Sequence, residues 1–214
     1  MLKTVKVPAP FEPLFQRAEE VVGGYFSEMT RTPEQGTIQI HGERYVLIRG
    51  ESLFSTLRES MEQQFGEEVT EAFLYDLART LGRGDALHFA AKMGLEDPVA
   101  RLSAGPVHFS HTGWAFVDIS PDSAPSPDDN FLLLYTHPNT FESEYFARRR
   151  TVAPHPVCVF SAGYSAGWCS YAFGLELDAR ELECEAAGGS ACRFIMATRS
   201  SIDAKMEGRQ HVRG

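Results

Sequence analysis

Three of the four cysteines and one glutamate stand in the last third of the chain: Cys158, Glu181, Cys184 and Cys192. Thiolate sulfur and carboxylate oxygen are both zinc ligands, and four such groups make a closed tetrahedral site. Cys184 and Cys192 flank Gly188-Gly189, where a hairpin turn would bring them together. Glu181 lies three residues before Cys184, so on an ideal strand the two side chains leave opposite faces. A bulge or turn must redirect one of them. Cys158 has to arrive from a distant segment. No CxxC pair is present, so spacing alone leaves two readings open: a metal clip, or buried cysteines packed as small hydrophobes beside a surface glutamate. Cys169 competes for the fourth position, but it sits inside an apolar helical stretch and is expected to be a buried small hydrophobe.

Between the first cysteine and the hairpin runs Gly163 to Trp168, GYSAGW. At ~100° per residue, Phe160, Tyr164, Trp168 and Tyr171 fall within an arc of about 80° on a helix. Gly163 and Gly167 form a neighbouring arc without side chains, which lets another element or a ligand approach the backbone closely. The aromatic arc reads either as core packing against a sheet or as one wall of a small-molecule pocket.

The elements that position these groups follow from pattern. Ser161 to Phe173 reads as a helix, and RELECEAA and ACRFIMA as strands. WAFVDI (114–119) and NFLLLY (130–135) read as antiparallel strands around a proline-rich solvated loop. Asn139 is placed to cap TFESEYFARR, with Glu142 three residues on. Upstream, residues 1–13 form an extended arm, and Leu14 to Glu28 an amphipathic helix interrupted at Gly23-Gly24. TIQI (37–40) and RYVLIR (44–49) make a hairpin around His41-Gly42-Glu43. Ser52 opens a helix with Leu53, Leu57 and Met61 on one face, broken at Gly66. Val69 to Leu81 continues helically, Gly82 and Gly84 punctuate, and Asp85 to Lys92 forms a further helix. Helices mixed with antiparallel strands give an α+β class: antiparallel sheets with packed helices and a C-terminal metal-clipped hairpin.

A chain of 214 residues can bury a sizeable core. Its net charge of −9 and single basic run, Arg148–Arg150, argue against nucleic-acid binding. No segment approaches the ~20 apolar residues needed to span a bilayer, and no secretion signal opens the chain. A cytoplasmic location is expected.

The cysteine and glycine motifs carry a resemblance. The chain resembles the sensor domain of sigma-54-dependent activators of aromatic catabolism, the phenol- and toluene-responsive regulators, which ends in a 4-vinyl reductase-type module. The family's signature is a cysteine before a GYxxGY-like helix, then Glu-x2-Cys-x7-Cys, which maps onto Cys158, GYSAGW, Glu181, Cys184 and Cys192. The resemblance implies structural zinc at those four residues. It extends to PEQGTIQIHGERYVLIRGESLFSTLRESM, to GPVHFSHTG (105–113) as a strand, and to HPNTFESE (137–144). The implied division is an N-terminal extension over 1–35 that serves as a dimerisation arm, a sensor lobe over 36–150, the zinc module over 151–198, and a polar tail or linker over 199–214.

In phenol sensors of this family a histidine and a tryptophan bond the ligand hydroxyl. Here Phe109 aligns with that histidine and His137 with that tryptophan, while His108 and His111 flank Phe109 on the opposite face of the expected strand. Phenol itself is therefore a poor expectation, because a buried hydroxyl without partners costs roughly 1–3 kcal/mol. The expected ligand set is His108, Phe109, His111, Leu133, His137, Tyr164, Trp168 and Tyr171. The function implied is a non-enzymatic sensor of a small aromatic or apolar effector, a homodimer acting through an output domain or partner outside this chain. The alternatives are a tetrapyrrole-pathway accessory protein or enzyme of the 4-vinyl reductase type, and a thiol-based redox sensor. No GxxxxGK[ST] or GxGxxG phosphate loop is present.

Overall fold

Apolar spacing of three and four residues makes most of the first half helical. In the computed structural model, which describes residues 2–210, α1 spans Glu12–Ser27, α2 Leu57–Phe65, α3 Glu67–Met93 and α4 Pro98–His111. α1 buries Phe15, Ala18, Val22 and Tyr25 along one stripe and runs unbroken through Gly23-Gly24, where the sequence predicts an interruption. Gly66, at φ 82°, ends α2 as predicted. The side chain of Leu53, expected to share a face with Leu57 and Met61, lies outside the described residues. Strands β2 (Thr30–Thr32), β3 (Thr37–Ile40) and β4 (Glu43–Tyr45) form a small antiparallel sheet. His41 and Gly42, both at positive φ, make the tight turn between β3 and β4. The second strand is shorter than RYVLIR predicts: pairing stops at Tyr45, and Val46, Leu47 and Ile48 are exposed.

The main sheet has five strands, β1 (Val5–Lys6), β5 (Val117–Ile119), β6 (Leu132–Thr136), β7 (Leu177–Glu183) and β8 (Arg193–Thr198), in the order β1-β5-β6-β8-β7. All neighbours are antiparallel except β1 and β5. The predicted N-terminal arm is thus folded in, with Val5 and Lys6 paired to Val117 and Asp118. Helices α5 (Phe141–Arg149), α6 (Val159–Phe173) and α7 (Ile202–Gln210) complete the chain. The cap of α5 is Thr140, whose Oγ1 accepts the Ser143 N–H at 3.0 Å, and not Asn139, which sits at φ 60° just before it. Part of the predicted polar tail is α7, anchored by buried Ile202; residues 211–214 lie outside the described residues.

α6 packs on the sheet at β7, and α3 packs along α6 in the most extensive contact between elements. Glycines set this approach. A Cβ built on Gly167 would stand 2.0 Å from the Arg79 carbonyl oxygen, one on Gly163 2.3 Å from that of Tyr75, and one on Gly82 2.2 Å from that of Tyr164. Gly82 therefore does not end a helix, as the sequence predicts. It lies mid-helix because α6 needs the space.

The segment 105–113, expected as a strand, is helical to His111. Asp97 caps α4, its Oδ2 accepting the Ala100 N–H at 2.8 Å, and Pro98 fits the first turn. Gly105 faces the Trp168 ring so closely that a Cβ would lie 2.6 Å from it. Helical steps of ~100° replace strand alternation, so His108, Phe109 and His111 point in three directions.

Candidate functional site

β6 alternates between the faces of the sheet, and its inward residues Leu133 and Tyr135, with His137 just beyond its end, line a cavity. Opposite them stand Tyr164, Ser165, Trp168 and Cys169 of α6. Leu102, Gly105, Pro106 and Phe109 of α4 close one side, and Val117, Ile119 and Met196 complete the sheet wall. The cavity volume is about 30 Å³, room for one or two waters when one needs ~10–15 Å³. A ring-sized ligand requires these walls to part. The aromatic rings are layered: Phe109 lies 5.3 Å from Tyr164 and 5.1 Å from His137, and Trp114 stacks on Tyr164 at 5.4 Å. Trp168 is held by its indole N–H, donated to the Arg101 carbonyl at 2.8 Å.

Of the expected ligand residues, Phe109, Leu133, His137, Tyr164 and Trp168 line this cavity. His108, His111 and Tyr171 do not. His108 is buried behind the wall, between Phe26, Phe89 and Trp168, 3.5 Å from the Tyr164 hydroxyl. Burial without an ion partner depresses its pKa to about 3. His111 is exposed and stacks on Phe26 at 4.9 Å, and Tyr171 carries the Arg101 guanidinium at 5.3 Å. All three were placed by strand alternation or by helical arc, and α4 turns its histidines toward α1 instead. Tyr135 and Met196 were missed. Tyr135 was readable, since it falls between Leu133 and His137 at the period of two that faces one side of a sheet.

His137 is 1% exposed and Tyr135 3%. Neither His137 ring nitrogen nor the Tyr135 hydroxyl has a hydrogen-bond partner. Ser165 is the neighbouring hydroxyl, near enough to oppose the rise in the Tyr135 pKa that burial causes, but outside bonding geometry. Burial likewise depresses His137 to about 3, so its ring is neutral. Cys169 is buried and its thiol is pushed up to about 12, in keeping with a small hydrophobe.

The second feature sits at the start of α6. Cys158 Sγ lies 3.7 Å from Cys192 Sγ and 4.0 Å from Cys184 Sγ, and Cys184 and Cys192 are 4.0 Å apart. With Glu181, all four ligand atoms lie within 4.8 Å of one another. The register shifts between Glu181 and Glu183, the irregularity that turns Glu181 and Cys184 to one side. Gly188 at φ 88° and the Gly189 N–H, donated to the Cys184 carbonyl at 2.8 Å, close the turn to β8. Glu181 Oε2 accepts the Cys158 N–H at 2.9 Å, whereas Oε1 is buried without a partner. Burial first, then the Cys184 charge, pushes the Glu181 carboxyl up to about 8; burial likewise raises the Cys158 thiol. Crowded anionic donors that resist ionisation are the groups a divalent cation would stabilise. The donor set could hold a metal ion, and sulfurs about 3.8 Å apart are what a tetrahedron with ~2.3 Å metal–sulfur bonds requires.

Glu142 supports this corner, a role its sequence position as a capping partner of α5 did not suggest. It is fully buried and accepts the Phe160 and Ser161 N–H groups, each at 2.9 Å, at the first turn of α6. Burial pushes its carboxyl up to about 7 against the pull of those donors. A second group, Glu67, Glu71 and His155, surrounds Arg58, whose guanidinium already supplies the positive charge.

Fold and site define an α+β domain of the 4-vinyl reductase type, and residues 138–198 match the model of that domain. Residues 26–122 match the family described as activator of aromatic catabolism. The chain belongs with the sensory domains of those activators. Among solved structures, the phenol-responsive sensory domain of the transcription activator PoxR, determined with phenol, is similar at TM-score 0.74 and 19% identity, covering 95% of this chain and 97% of that one. A trafficking protein particle complex subunit 3 from Naegleria fowleri, covalently bound to palmitic acid, is similar at TM-score 0.50 and 13% identity, covering 70% and 95%. A vinyl-4-reductase family protein from Methanocaldococcus jannaschii reaches TM-score 0.42 at 14% identity, covering 89% and 96%. No curated protein matches in sequence. No helix among the described residues is long and apolar enough to cross a membrane.

Proposed function

We propose that this domain senses a small aromatic effector in the cytoplasm and passes its occupancy to a transcriptional output outside this chain. The observation that carries the reading is the buried cavity between α4, α6 and β6, walled by layered aromatic rings. The likeness to a sensory domain that binds phenol supports the same place for the effector. Phe109 stands on the α4 wall, so phenol itself would find no histidine there. Phe109, Leu133, His137, Tyr164 and Trp168 are the contacts we assign. Binding selects a conformation with the walls parted, and the output follows that population.

We assign structural zinc to Cys158, Glu181, Cys184 and Cys192. The three sulfur separations and the orphaned Glu181 Oε1 support that donor set. Four protein ligands close the coordination sphere, which suits a scaffold and leaves no open position for catalysis. The reading includes a homodimer to which residues 1–35 contribute.

The test is saturable binding, by calorimetry or thermal shift, across a panel of aromatic and apolar compounds. Saturation by at least one single-ring aromatic is expected, and a flat response to the whole panel would end the reading. Metal analysis of the purified protein is expected to give one zinc per chain.

A further inference from the structure

The cavity is almost wholly apolar, yet two of its lining side chains hold hydrogen-bonding atoms that nothing in the protein satisfies. His137 and Tyr135 are both more than nine-tenths buried, and their rings lie 4.9 Å apart, centroid to centroid, at the end of β6. Between them they offer an N–H, a ring nitrogen lone pair and a phenolic hydroxyl, none paired. Buried polar groups without partners are rare in native proteins and mark places where a partner is supplied from elsewhere. A water could bridge the pair, and a ligand oxygen would occupy the same position.

The remaining lining restricts what that partner can be. No lysine or arginine lines the cavity. A carboxylate would be buried there without a counter-charge, which strongly disfavours it. The α4 wall contributes Phe109 and Pro106, so no polar contact comes from that side. The small volume limits the ligand to one ring.

From this we infer that His137 and Tyr135 are specificity-determining residues, selecting a neutral single-ring aromatic whose substituent carries a hydroxyl or carbonyl oxygen. The inference rests on the sensor reading above and adds the chemical class of the effector. The oxygen points toward the end of β6, and the ring lies among Phe109, Tyr164 and Trp168.

The experiment uses four compounds on one carbon frame: toluene, benzaldehyde, benzyl alcohol and benzoate. Binding is measured by calorimetry on the purified protein and on the Tyr135→Phe and His137→Phe variants. The wild type is expected to bind benzyl alcohol and benzaldehyde at least tenfold more tightly than toluene, and benzoate not at all. Each variant is expected to narrow the gap between benzyl alcohol and toluene while keeping toluene binding. Tyr135→Phe is also expected to leave the unfolding temperature unchanged or raised, because it deletes a hydroxyl with no internal partner.

Toluene binding as tightly as benzyl alcohol, or a preference that survives both substitutions, would overturn the inference while leaving the sensor reading intact. So would benzoate binding. A drop in the unfolding temperature of Tyr135→Phe would mean that the hydroxyl is satisfied within the protein, and the handle would be lost. No binding by any of the four, or by the wider aromatic panel, would remove the sensor reading itself.

Discussion

Replacing Gly167 with alanine puts a methyl carbon 2.0 Å from the Arg79 carbonyl oxygen and 2.9 Å from the Arg83 nitrogen. Ordinary contact begins near 3.4 Å, so α3 and α6 must separate by about 1.4 Å. Both sides of the clash are backbone, and no rotamer change relieves it. Overpacking costs roughly 1–3 kcal/mol when side chains can adjust, and more when they cannot. The gain from replacing a mid-helix glycine is only about 1 kcal/mol. A net loss of ~3 kcal/mol or more is expected. Gly84 supplies the control: it lies in the same helix, α3, with nothing within 4 Å of its Cβ position. Gly84→Ala should stabilise by ~0.5–1 kcal/mol. Equilibrium urea unfolding followed by far-ultraviolet circular dichroism measures both. Adding Gly82→Ala to Gly167→Ala should cost less than the sum of the two singles, since the helices have already parted. If Gly167→Ala is as stable as Gly84→Ala, the backbone-to-backbone crossing is not what holds α6.

Cys184→Ser should lose its metal in a colorimetric zinc assay and unfold at lower denaturant, since structural zinc contributes about 10–16 kcal/mol of apparent binding energy in small peptides. Glu142→Gln, which replaces a charged acceptor of two backbone N–H groups, should cost roughly 1.5–3 kcal/mol in the same urea titration. His108 has a folded pKa depressed by burial, from 6.5 to about 3, so between those values only the unfolded chain takes up its proton. Stability from this group is complete above pH 6.5 and falls as pH drops toward 3, by up to ~1.4 kcal/mol per unit. His108→Phe should flatten that acid limb in part, the rest of the slope coming from His137 and other groups; an unchanged slope would mean that His108 is hydrated.

The cysteine cluster was legible because its logic is local: a glycine turn, seven intervening residues, and a glutamate whose position demanded an irregular strand. That irregularity is present between Glu181 and Glu183. The glycine arc of α6 was legible as a place for close approach, and α3 is what approaches. Gly82 was misread because one sequence gives the same mark for a helix end and for a helix contact. The helix α4 was missed for a related reason. Val107-His108-Phe109 has strand-like residues, and only the Asp97-Pro98 start and the fit of Gly105 against Trp168 make it helical. Half of that information lies about 60 residues away in the chain. Glu142 was misplaced because its partners, Phe160 and Ser161, belong to another helix.

The strand order of the main sheet has a consequence for synthesis. β8 is the last strand made, yet it lies between β6 and β7 in the interior. Until residue 198 has been added, β6 presents an open edge carrying Leu133 and Tyr135. At typical synthesis rates that interval is about 3–12 s, long enough for a bare apolar strand to find the wrong neighbour. The recognition wall is therefore among the last parts of the domain to be completed. A nascent chain interrupted before β8 would be an aggregation hazard and not a shortened sensor.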